Sequence, residues 1–298
     1  MVTQSLSEDS AAFRSLKYRV ASPLNPTGSV QSYYVVCDVP KITNLSDTSI
    51  KPFGVIYIAS VPIQGDGSTY TFTFGDDIFA CCGYQQLQDG TIVSTIDNAA
   101  MDLNGVQNNI ANMVINNGGP GFAVSSPGAE SGTFEIIVPN YDSTKYHEVW
   151  CGLGMTKPLY SALSDAGGTE NAVPGVRACA CWQAQSAAKY QVTPMPRFSV
   201  VTGEFEVEQV IDINGVGVDV KIDFSGQGNK VYASVTQGNE GTFGPVTYSA
   251  SPPDERSTNS GSSPESASEY KSILGYDFEV DNFFQELGAL ESMAPSVK

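Results

Sequence analysis

Residues 176–198 read VRACACWQAQSAAKYQVTPMPRF. Val176–Gln185 joins small, apolar and aromatic residues with no proline or glycine, the composition of a central strand covered on both faces. Tyr190–Pro194 reads as a second, shorter strand. Pro194 and Pro196 then interrupt the pattern, because proline has no N–H to give to a ladder. A boundary is expected near Pro194–Phe198.

Working outward, strand patterns dominate. Thr69–Phe74 (TYTFTF) alternates at period two, with Tyr70, Phe72 and Phe74 on one side and threonines on the other. Phe53–Pro62, Ile78–Cys82, Thr91–Ile96, Phe134–Pro139 (FEIIVP) and Val149–Gly152 also read as strands. Ser15–Ser22 and Val30–Val39 flank PLNPTGS and read as a hairpin. Helical periodicity is scarce. Asp97–Ile115 holds Leu103, Val106, Ile110 and Val114 at helical spacing and predicts one or two short turns, weakened by its asparagines and glycine. Leu159–Ala166 predicts another.

Downstream, Glu204–Val210, Val216–Phe224 and Lys230–Thr236 predict a β meander over residues 199–248. Its turns are Asn214-Gly215, a strong hairpin signal, and Gly226–Asn229. Residues 249–269 are Ser- and Pro-rich and predict a tether. Residues 270–298 form an acidic tail that retains Tyr276, Phe278, Phe283 and Phe284.

Composition narrows the function. The 298 residues carry 15 Lys+Arg, 32 Asp+Glu and one His, a formal charge of −17. From Val200 to Lys298 there are 16 acidic and 5 basic residues, a net of −11. Such a balance argues against gripping nucleic acid through a basic face. A single histidine excludes a two-histidine mechanism or a His-rich metal site. Residues 1–12 read as a polar, acidic arm without the pattern of a secretory signal, and no run of ~18 apolar residues predicts a membrane span.

Six cysteines, Cys37, Cys81, Cys82, Cys151, Cys179 and Cys181, sit in apolar strand-like segments. Adjacent strand residues face opposite sides, which disfavours a Cys81–Cys82 bridge. They read as buried reduced thiols, which fits an intracellular product. His147 has no nucleophile motif beside it and reads as a loop or strand-edge residue hydrogen-bonded to backbone. Asp76-Asp77 could do acid/base work or hold a cation, but following Gly75 they read as a turn. Asp212-Ile-Asn214-Gly215 lacks the later glutamate of a calcium loop. Asn116–Gly121 is glycine-rich without the Lys-Ser/Thr of a phosphate loop. Arg14, Lys17 and Arg19 read as a solvated edge. No catalytic, cofactor-binding or metal-ligating residue is assigned, and no enzymatic activity is expected.

One ordered set of motifs resembles a known family. Pro120-Gly-Phe-Ala-Val-Ser, Thr133–Tyr141 with its Val138-Pro139-Asn140-Tyr141, His147–Trp150, Val176–Gln185 and the exit Pro194-Met-Pro-Arg197-Phe198 are similar to the late part of a picorna-like virus capsid jelly roll. Phe13–Val20 and Tyr33–Pro40 resemble that family's central hairpin. The resemblance spans residues 13–198. It implies an antiparallel β-sandwich of jelly-roll type, with residues 199–298 either projecting from the surface or closing the barrel.

The resemblance further implies a structural subunit that assembles with like or sister subunits into an icosahedral shell around RNA. The shell would form in the host cytoplasm and could engage a host surface receptor. With this charge the chain would meet packaged RNA only indirectly, through cations, polyamines or another subunit. The alternative is a carbohydrate-binding or adhesin-like β-sandwich, which 14 tyrosines would suit. The tail is too apolar only to solvate and too short to hold a core of its own. It is expected to dock on its own subunit or on a neighbour. Truncation after Ala250 should leave a folded subunit with reduced particle yield; equal yield and equal thermal stability would refute docking.

Overall fold

The computed structural model describes residues 18–46, 50–75, 77–105, 107–157, 175–212, 219–238 and 240–252. In chain order the strands begin with β1 (Tyr18–Asn25), β2 (Tyr33–Cys37), β3 (Lys41–Asn44), β4 (Phe53–Ala59), β5 (Ser68–Thr69), β6 (Phe72–Gly75) and β7 (Ile78–Tyr84). Next come β8 (Asp97–Met101), β9 (Ile110–Asn116), β10 (Gly119–Phe122), β11 (Phe134–Ile137), β12 (Val149–Thr156) and β13 (Val176–Gln183). The last are β14 (Lys189–Thr193), β15 (Arg197–Thr202), β16 (Val210–Ile211), β17 (Asp219–Asp223), β18 (Tyr232–Thr236) and β19 (Thr247–Ser249). Among the described residues the fold is all-β, an assembly of mainly antiparallel sheets in the manner of a β-sandwich.

The largest sheet has nine strands, in the order β17-β15-β2-β4-β13-β12-β7-β8, with β16 on β4. A second sheet runs β10-β9-β11-β14-β3, and a third runs β19-β18-β1-β5 with β6 also on β1. All three supply one core. Cys151 and Leu153 of the large sheet, Phe134 and Tyr190 of the second, and Phe72 and Phe74 of the third belong to it.

The middle strands of the large sheet are buried on both faces, whereas its edge strands β8 and β17 alternate. Along β12, Val149, Cys151, Leu153 and Met155 enter the shared core, while Trp150 enters a second cluster on the opposite face with Val55, Cys81, Cys181 and Val210. That opposite face is covered by two segments that are irregular apart from the short strand β16. Leu87 and Val93 come from one, Phe205 and, in β16, Val210 from the other. They are laced together where Val93 N–H donates to Glu208 O at 2.9 Å and Val210 N–H to Thr91 O at 2.7 Å. Ile56 of β4 exchanges backbone bonds with the second segment, donating to Gln209 O and accepting from Glu208 N.

Central placement of β13 agrees with its composition, since it lies between β12 and β4. Phe72 and Phe74 are fully buried and Tyr70 packs against the same core, so the alternation of Thr69–Phe74 holds.

Several expectations are corrected. The expected hairpin of Ser15–Ser22 with Val30–Val39 is not formed by the described residues, which begin at Tyr18: β1 pairs with β18, β5 and β6, whereas β2 pairs with β4 and β15. The intervening loop carries the chain between sheets. Buried Asn25 fixes it, donating through Nδ2 to Ser29 O at 2.9 Å and Ile63 O at 3.0 Å. Among the described residues, 97–115 hold no helix but β8 and β9, and Val106 lies outside the described residues. Ala111 and Met113 are buried while Val114 is exposed, which is strand alternation. Thr91–Ile96 forms part of the covering segment, with a single bridge from Ile92 to Gln209.

Residues 199–248 do not form a meander. β17 joins β15 at the edge of the large sheet, and β18 pairs in parallel with β1. Between them Gly226 and Gly228, at φ +69° and +60°, turn the chain sharply from one sheet to the other. The C-terminal strands are therefore integral to the sheets. Asn214-Gly215, Leu159–Ala166, the arm and nearly all of residues 249–298 lie outside the described residues.

Trp182 is fully buried and meets Tyr190 edge-on at 5.6 Å. Trp182→Ala should cost about 3–5 kcal/mol in a denaturant titration. A change under about 0.5 kcal/mol, the surface norm, would contradict this packing.

Candidate functional site

The residues singled out in the sequence scatter over the body. His147 lies in the turn before β12, its side chain 60% exposed and 3.8 Å from Glu148 Oε1. Its carbonyl accepts from Gln183 Nε2 at 3.1 Å, so the backbone rather than the imidazole ties this turn to β13. Asp212 pairs with Lys51 at 3.4 Å, and its N–H donates to Asp89 Oδ1 at 3.0 Å. Residues 213–218, with Asn214 and Gly215, are outside the described residues, as are Asp76, Arg14, Lys17 and the side chain of Arg19. Asn116–Gly121 is the β9–β10 hairpin turn, in which Gly118 N–H donates to Asn116 Oδ1 at 2.8 Å.

Asp77 stands at the entrance to β7, its Oδ2 3.5 Å from Thr156 Oγ1. This end of the sheet also holds a residue that pattern reading passed over. Arg177 is 2% exposed on β13, in an otherwise apolar run. Its Nη1 donates to Tyr57 O at 2.8 Å, and the Tyr57 hydroxyl donates to Thr156 O. β13 pairs with β4 only at Ala180 and Cys181, so the guanidinium occupies the place where the two strands part. A buried cation is costly unless bonded, and here it bonds the backbone across that gap.

A cleft of about 240 Å³ is lined by Asp38, Arg197, Phe198, Ser199, Lys221, Ile222 and Asp223. Arg197 and Asp223 face each other in the β15–β17 register, with Nε to Oδ2 at 2.8 Å. Asp38 N–H donates to Arg197 O at 2.9 Å, and Asp223 N–H donates to Tyr248 Oη at 2.8 Å. Burial pushes the Asp223 carboxyl up, but hydrogen bonds from Ser225 and Arg197 outweigh it and hold the group below the ordinary carboxylate range. The pair is partly exposed, in the class worth about 0–1 kcal/mol. Two cations and two carboxylates in a shallow cleft suit recognition of a polar, charged surface. Arg197 was within reach of sequence reading, as part of the proline exit. Asp223 was not, because register alone brings it opposite.

All six cysteines are buried and free. Among the described residues no group of three or more His, Cys, Asp and Glu side chains is placed to hold a metal ion, and no helix is long and apolar enough to cross a membrane.

Burial raises the Cys82 thiol to about 12, as it does the Tyr33 and Tyr141 hydroxyls. A raised folded value favours the neutral form. Its contribution is complete below the ordinary value near 9 for Cys82 and 10 for the tyrosines, and it is lost as pH rises towards 12. The unfolding free energy from urea titrations should fall as pH rises above 9, by up to about 1.4 kcal/mol per pH unit for the buried Cys82 thiol. A flat midpoint from pH 8 to 11 would show that these groups ionise freely. No protein-family model matches this chain, and no curated protein or solved structure matches it.

Proposed function

We propose that the chain is a structural capsid subunit, a jelly-roll-type sandwich that assembles with like or sister subunits into an icosahedral shell around viral RNA. The observation that carries this reading is how the motifs of the resemblance lie together. β11, which carries Phe134-Glu-Ile-Ile137, pairs antiparallel with β14. The Val138-Pro-Asn-Tyr141 segment then grips the turn that follows β13. Val138 N–H donates to Ala188 O at 2.8 Å, Tyr141 N–H donates to Ser186 Oγ at 2.8 Å, and Tyr141 Oη donates to Ala184 O at 2.8 Å. The proline exit leads directly into β15, so Arg197 reaches the charged cleft. The early hairpin of the resemblance does not contribute, since β1 and β2 lie in different sheets.

On this reading the subunit works through its surfaces and performs no reaction. Its net charge of −17 leaves RNA contact to cations or to a partner chain. The test is assembly. The full chain is expressed alone and together with the products encoded beside it, then followed by size-exclusion chromatography and negative-stain microscopy. Closed particles of uniform diameter are expected in at least one arm. A monomer in every arm, with selective binding on a glycan array, would transfer the chain to the carbohydrate-binding alternative.

A further inference from the structure

Three adjacent strands of the large sheet carry five of the six cysteines: Cys81 and Cys82 on β7, Cys151 on β12, and Cys179 and Cys181 on β13. Register decides which of them can meet. Cys151 stands directly opposite Cys82. Just outside the ladder, Gln85 N–H donates to Glu148 O at 2.7 Å, which makes Gln85–Glu148 a hydrogen-bonded pair. Pair types alternate along an antiparallel ladder, so Tyr84–Val149 is not hydrogen-bonded, Gly83–Trp150 is, and Cys82–Cys151 is not. In such a pair the Cα atoms lie about 4.5 Å apart and the side chains are at their closest. A disulfide spans about 4.4–6.8 Å between Cα atoms. Both side chains enter the shared core.

The other combinations are less well placed. Cys81 and Cys181 oppose Gly152 from its two sides, so a whole strand separates them. Two strand spacings are about 9.5 Å, beyond the roughly 7 Å limit for a bridge. Cys81 and Cys82 face opposite ways. The Cys37 and Cys179 thiols are directed to other acceptors, Met155 Sδ at 3.9 Å and Arg177 O at 3.8 Å, and their strands β2 and β13 share no ladder that would set them opposite each other.

We propose that Cys82 and Cys151 form a latent cross-strand disulfide that closes when the chain folds in the presence of a small-molecule disulfide. In the reduced state Cys82 Sγ–H is directed to Asp97 O at 3.7 Å, so closure needs a rotation of that side chain. The chemistry is two successive exchanges. One cysteine thiolate attacks a sulfur of oxidised glutathione, forming a mixed disulfide and expelling one glutathione thiolate. The second cysteine thiolate attacks the protein sulfur of that mixed disulfide, forming the Cys82–Cys151 bond and expelling the other. Two protein thiols lose two protons and two electrons, and one oxidised glutathione becomes two reduced molecules. Both cysteines are fully buried, which keeps oxidant and reductant away from the folded pair. The bond therefore records the redox conditions under which the chain folded. This inference does not depend on the capsid reading.

To test it, the full chain is denatured with reductant, freed of it, and refolded in parallel with reduced glutathione alone or with a mixture containing oxidised glutathione. Mass mapping without reduction should find, in the second sample only, peptides joined through Cys151 and Cys82 and lighter by two hydrogens. Fragmentation or a Cys81→Ala variant, which should keep the link, assigns the β7 partner. Closing the intervening loop should raise Tm by roughly 5–10 °C over the reduced form. Cys151→Ser should abolish both link and shift; if it does not fold, mapping of the unsubstituted chain decides alone. Six free thiols after oxidative refolding, or a bridge between any other pair, would overturn the proposal.

Discussion

Close approach at glycine governs the middle of this molecule. A Cβ on Gly152 would stand 2.2 Å from Ala180 O, and one on Gly154 would stand 2.3 Å from Cys81 Sγ. A Cβ on Gly83 would meet the Trp150 ring at 2.5 Å. All three glycines lie on β7 and β12, the strands at which the large sheet is packed from both sides. Their missing side chains leave room for Trp150 to lie across its cross-strand neighbour and for Cys81 and Cys181 to fill the space above β12. A strand of ordinary residues there would hold the covering segments further off, and the second apolar cluster would lose its density.

The covering segments explain a feature that would otherwise be unexpected in an acidic, weakly charged chain. A nine-stranded sheet needs apolar partners on two faces, and the two smaller sheets serve only one. The other is served mostly by loop backbone, with the two-residue strand β16, and that backbone must find its own hydrogen bonds. It does so by exchanging them between residues 90–93 and 208–210 and with β4, where Glu208 adopts φ +67°. Glu204, Glu206 and Glu208 keep the outward side of that cover polar.

What the sequence makes legible follows from the range of the physics involved. Strand patterns with their own periodicity, such as Thr69–Phe74 and Val176–Gln183, are local and appear where expected. Pairing is not local. PLNPTGS has the residues of a hairpin turn, yet Asn25 folds its amide inward and sends the next strand to another sheet. Leu103, Ile110 and Val114 imitate a helical face because two short strands with a loop between them can do so by coincidence. At the charged cleft, Arg197 was visible as part of a proline exit, but its partner Asp223 is 26 residues away and known only through register. Arg177 was hidden by its apolar neighbours, since nothing in composition marks a cation that bonds a strand's carbonyl.

The parallel pairing of β1 with β18 sets an order on synthesis. Val20 pairs with Tyr232, so the first described strand has its longest neighbour only after about 210 further residues have been made. A ribosome elongating at about 5–20 residues per second needs at least ten seconds or so to make the intervening chain. During that time β1 has only the short strands β5 and β6 to pair with, and its other edge stays open. Contacts so distant in sequence fold slowly and expose nascent strands to wrong partners. Crowded polysomes, where many copies of the same edge emerge together, are therefore where this chain is most in need of a chaperone.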